Sequence, residues 1–66
     1  MSNAELDREY EALRAEHTEL ESEHDRLRGL PRDIDAHRAH AARLRAHLVR
    51  LQAYVAARRA AVPDEA

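Results

Sequence analysis

The stretch Leu27-Arg28-Gly29-Leu30-Pro31-Arg32-Asp33-Ile34 decides how this chain folds. Pro31 has no backbone N–H and disfavours helical geometry at Leu30, so a helix arriving from the N-terminal side stops short of it. Gly29 is the only glycine in the chain and is expected just past the helix end, in left-handed geometry. Pro31 then suits the first turn of a second helix, and Asp33 or Asp35 suits its positive end.

The apolar residues on either side of this break confirm that it separates two helices. Leu6, Tyr10, Leu13, His17, Leu20, His24 and Leu27 recur in alternating steps of four and three, the spacing of a coiled-coil seam. Ser2 and Glu5 form an S-x-x-E capping box, so the first helix is expected from about residue 3 to 28. Ile34, His37, Ala41, Leu44, Leu48, Leu51 and Val55 form a second such series, out of phase with the first. Continuing the first register would bring Arg38 and Arg45 into the seam and expel Leu44 and Leu51. The register therefore resets at the turn, residues 29–31. The second helix is expected from about 32 to 62, ended by Pro63, with a short polar tail over 63–66. The fold class that follows is all-α, a single-domain two-helix antiparallel coiled-coil hairpin.

Folding the two series on each other predicts the layers. Leu27 meets Ile34, His24 meets His37, Leu20 meets Ala41 and His17 meets Leu44. Leu13 then meets Leu48, Tyr10 meets Leu51 and Leu6 meets Val55. On the flanks, Glu9, Glu16 and Glu23 face Tyr54, His47 and His40. Glu21 faces Arg38, and Arg14 opposite Arg45 breaks the pattern.

Length and composition say what such a hairpin needs. Sixty-six residues bury only about 60% of the surface the unfolded chain exposes, and natural chains of this size add disulfides, a metal or a partner. Cysteine is absent, which excludes disulfides and thiolate zinc sites. Oligomerisation is the first expectation. A second regular stripe on helix two, Ala39, Ala42, Ala46, Val49, Ala53, Ala56 and Ala60, offers close helix approach and is a candidate partner interface, although alanine, the best helix former, equally suits a solvated face and Arg43 and Arg50 flank the stripe. A homo-oligomer, specifically a dimer forming a four-helix bundle, or a helical protein partner follows.

Charge separates along the chain. Residues 5–28 hold nine acids against four Arg, whereas residues 32–62 hold seven Arg against two Asp. Opposite halves favour folding on each other and argue against a nucleic-acid footprint over the whole chain. The alternative function is a Rop-like RNA-binding dimer using the Arg-rich second helix, since small hairpin dimers of that type are similar in size and heptads. The acidic first helix, the lack of Lys and only two aromatics stand against it. No stretch approaches the ~18 apolar residues of a membrane span, and the polar N-terminus predicts no signal peptide, so cytoplasmic residence is expected.

Five histidines are many for this length. His24, His37 and His40 are the candidate metal ligands, with Glu21 or Glu23 as carboxylate. The stronger reading makes His17 and His24 polar seam residues that specify register, with His40 and His47 hydrogen-bonded to Glu23 and Glu16. Two helices with one seam enclose no pocket for catalysis, so neither enzyme activity, a cofactor nor a small-molecule substrate is expected.

The run His17-Thr18-Glu19-Leu20-Glu21-Ser22-Glu23-His24-Asp25-Arg26-Leu27-Arg28-Gly29, followed by Arg43-Leu44, resembles the YdcH-like family of small bacterial proteins. That family shows an H-x-x-L-[DE] start, an R-L-x-G approach to the hairpin and a later basic-Leu segment. The resemblance spans about His17 to Val55. His24 stands where the family tends to an aliphatic residue, and Arg where it has Lys. It implies a helical hairpin and carries over no functional site. Size and Arg/Ala usage likewise point to a bacterial chain. The expected function is a structural or protein–protein interaction module acting through helix packing.

Overall fold

The computed structural model describes residues 2–61. Two helices, α1 (Asn3–Arg28) and α2 (Ile34–Ala61), pack antiparallel in a body 51 Å long, 18 Å wide and 15 Å thick. The expected tail over residues 63–66, with Val62 and Pro63, lies outside the described residues.

Local chemistry sets the helix ends. Ser2 caps α1: its hydroxyl oxygen accepts the Glu5 backbone N–H at 3.2 Å, satisfying one of the orphan donors of the first turn. The Glu5 carboxylate answers by accepting from the Ser2 hydroxyl, also at 3.2 Å. At the other end, Gly29 N–H donates to Arg26 O at 3.2 Å and Leu30 N–H to Leu27 O at 2.9 Å. These bonds to the third residue back tighten the last turn into 3₁₀ form. Gly29 accordingly sits at φ −83°, ψ −3°, an ordinary right-handed conformation, and not in the expected left-handed one. The chain reverses through Leu30–Asp33 instead. The Leu30 carbonyl accepts twice, from Asp33 N–H at 3.1 Å and from His37 Nε2–H at 2.9 Å. Asp33 Oδ1 then accepts from Ala36 N–H at 3.1 Å and serves as the N-cap of α2. Helix two therefore starts at Ile34 and the turn is two residues longer than expected.

The core is the Leu row of α1. Leu6, Leu13, Leu20 and Leu27 are each no more than 5% exposed, and they are the buried hydrophobic residues among those described. The face α2 turns to them corrects the expected seam. His40 and His47 are buried against α1, with Ala36, Tyr54, Ala57 and Ala61 half-buried, at heptad spacing along one face. Ala41 is half-buried, but Ile34, His37, Leu44, Leu48, Leu51 and Val55 are exposed. On α1, Tyr10, His17 and His24 are also exposed. The register shifts with the longer turn. His24 stands level with His40, not His37, at 5.9 Å between ring centroids. His17 is level with His47 at 6.0 Å, and Tyr10 with Tyr54 at 6.2 Å. Leu13 consequently shares a groove with His47 and Leu51, and the expected Leu13–Leu48 layer is replaced.

Candidate functional site

The two long faces of the hairpin differ in chemistry, and the difference starts from the two rows flanking the Leu core on α1. Glu9, Glu16 and Glu23 follow one another at seven-residue intervals on one flank; Tyr10, His17 and His24 do so on the other.

The Glu flank carries an ion-pair ladder. Glu23 is only 8% exposed and accepts His40 Nδ1–H at 2.6 Å and Arg43 at 2.7 Å, with Arg26 at 3.6 Å. A carboxylate only accepts, so Nδ1 of His40 carries the proton. One heptad back, Glu16 accepts His47 Nδ1–H at 2.5 Å and Arg50 at 2.9 Å. Arg50 forks to reach Glu9 at 3.0 Å. The pairing of Glu16 with His47 and Glu23 with His40 is the one read from the flanks of the heptads. The hydrogen bond from His47, aided by the Arg50 charge, holds the Glu16 carboxyl below its usual value, while burial opposes it. The His40 hydrogen bond and the Arg43 charge do the same for Glu23. Glu9, with Glu16 behind it, pushes the Arg50 guanidinium up.

The opposite flank is apolar and unpaired. Leu44 and Leu51 stand beside His24 and His17, and Leu48 and Val55 extend the stripe outward along α2. Leu48 is 53% exposed, and Leu44, Leu51 and Val55 are exposed with it. His17 bonds Glu21 at 2.7 Å on the rim of this face. The stripe is the row read as the seam from the sequence; it lies on the flank of the interface, where Leu44 and Leu51 border α1 and Leu48 and Val55 are turned to the outside.

Ala39, Ala42, Ala46, Val49, Ala53, Ala56 and Ala60 are all exposed, and Ala56 borders the Leu stripe in a groove with Leu51 and Val55. The candidate metal ligands are drawn apart. His37 donates to the turn carbonyl, His40 is committed to Glu23 through Nδ1, and only His24 remains beside His40. Among the described residues no three metal-binding side chains converge. His40 Nε2 is buried with no hydrogen-bond partner, a feature that composition and spacing gave no sign of. The grooves along the hairpin are open and shallow, and no helix among the described residues is long and apolar enough to cross a membrane.

Compared with known proteins, the chain matches no protein family, no curated protein and no solved structure.

Proposed function

We propose that this chain is a protein–protein interaction module that acts through helix packing and self-associates. The supporting observation is the imbalance between what the hairpin buries and what it leaves out. Among the described residues only four apolar side chains, all Leu, are buried, while Leu44, Leu48, Leu51 and Val55 lie in one exposed row at coiled-coil spacing. An isolated hairpin of this size is marginal, and covering a second row of this kind is how helix pairs become stable bundles. No enzymatic activity or cofactor belongs to this reading. The resemblance to YdcH-like hairpins bears on the hairpin alone and carries neither a function nor a site.

A Rop-like RNA-binding dimer is the reading against which it is weighed. Its weight falls because Glu23, Glu16 and Glu9 hold Arg43 and Arg50, two of the six Arg of α2, in ion pairs within the hairpin. Sedimentation equilibrium over a wide concentration range tests the proposal. The 7.6 kDa chain is expected to sediment at twice that mass and to dissociate on dilution. A folded species that stays at the monomer mass throughout contradicts it.

A further inference from the structure

We propose that His40, through its buried Nε2, and His24 together bind a divalent transition-metal ion of the zinc type, in the groove between the helices beside Leu44. The proposal stands apart from self-association.

The case begins with the proton on His40. Its Nδ1–H is donated to Glu23 at 2.6 Å, so in the neutral ring Nε2 carries a bare lone pair. That nitrogen has no hydrogen-bond partner and belongs to a side chain only 8% exposed. A buried acceptor left bare costs free energy, which a ligand taking the lone pair offsets. A carboxylate on one ring nitrogen and a free lone pair on the other is how metal-binding histidines are held. The carboxylate fixes the tautomer and raises the basicity of the nitrogen that binds. Glu23 is therefore the orienting partner and not a ligand, unlike its place in the set read from spacing.

His24 supplies the second nitrogen. Its ring centroid lies 5.9 Å from that of His40. Two imidazoles on one tetrahedral zinc, each nitrogen about 2.0–2.1 Å from the metal, have centroids about 5 Å apart. His24 is exposed and enters no hydrogen bond or ion pair among the described residues, so a turn of its side chain closes the difference. His17, Glu21 and Asp25 line the same groove, and no Arg does. His17 and Glu21 are bonded to each other at 2.7 Å, which leaves the Asp25 carboxylate to attract a cation. Imidazole donors select zinc, copper or nickel over magnesium and calcium, which prefer oxygen. Two protein ligands leave the remaining positions of the ion to water. His37 takes no part, because its ring is held by the Leu30 carbonyl.

Zinc titrated alone into the chain, in a buffer that does not bind metals, tests the site by calorimetry with the imidazole nitrogens followed by NMR. One ion per chain is expected, shifting Nε2 of His40 and one ring nitrogen of His24. His24→Ala, at an exposed position that leaves the Glu23–His40 pair in place, is expected to weaken binding at least about tenfold, the lower end of what loss of a supporting partner alone costs a metal site. His37→Ala is expected to leave the affinity unchanged. Zinc that gives no heat and moves no imidazole resonance overturns the proposal and makes a water the occupant of Nε2. Binding that survives His24→Ala, or shifts confined to the other histidines, overturns it as well.

Discussion

Glu23 shows how a charged residue comes to be buried in so small a fold. Its carboxylate is desolvated between the helices, and His40 and Arg43 replace the lost water with two charge-assisted bonds. Glu16 repeats the arrangement with His47 and Arg50. Both carboxyls are held below the ordinary value of 4.5, so the stabilisation they give is fully present above that pH and is lost as pH falls through their lowered values. Thermal melts of Glu23→Gln against the parent are expected to show a lower melting temperature at neutral pH. That gap should close as both are acidified well below 4.5; a gap that widens with acid contradicts the assignment. The Leu row is the apolar counterpart. Leu20→Ala removes one of the four buried Leu side chains among the described residues and is expected to cost about 2–5 kcal/mol, whereas Leu48→Ala costs an isolated hairpin little. Urea titrations at a concentration where the chain is monomeric separate the two. The Glu–His pairs were legible in the sequence because identical seven-residue spacing of Glu16, Glu23 and of His40, His47 places them on matching flanks. The bare Nε2 of His40 was not, since it depends on what surrounds the ring.

At the level of the elements, both helix boundaries are local events and were readable for that reason. Ser2-x-x-Glu5 and Gly29-Leu30-Pro31 act within a turn of themselves. Gly29 departs from the expected left-handed geometry because glycine permits that geometry without requiring it, and two 3₁₀ bonds end the helix with negative φ. A Cβ at Gly29 would come no closer than 3.5 Å to Arg26 O, an ordinary contact. Gly29→Ala is therefore expected to stabilise by about 0.4–1 kcal/mol through a less flexible unfolded chain. A destabilised variant in thermal melts would point to a left-handed residue there. Asp33→Ala, by contrast, removes the cap of α2 and is expected to cost about 1 kcal/mol. The rotation of α2 about its axis was the part that spacing could not supply. Ile34 to Val55 reads as a seam whichever helix it faces, and with a turn two residues longer that row lies at the edge of the contact with α1. The Glu9–Glu16–Glu23 ladder then favours the His40, His47, Arg43 and Arg50 side of α2.

The whole molecule is a rod with one side laced by ion pairs between the helices and one side carrying the exposed Leu stripe. The first side holds α1 to α2, and the second is proposed to hold two copies together. An asymmetry of this kind turns a marginal hairpin into half of a bundle, because folding free energy then includes what association adds. The melting temperature should accordingly rise with chain concentration, and a temperature independent of concentration would contradict dimer-linked folding. The most direct test is an isotope-filtered NOE experiment on an equimolar mixture of labelled and unlabelled chains. The account predicts contacts between copies from the methyls of Leu44, Leu48 and Leu51, and contacts within one copy alone from Leu6 and Leu27. Leu48 methyls in contact with Leu13 of their own chain, and with nothing in the other copy, would contradict it.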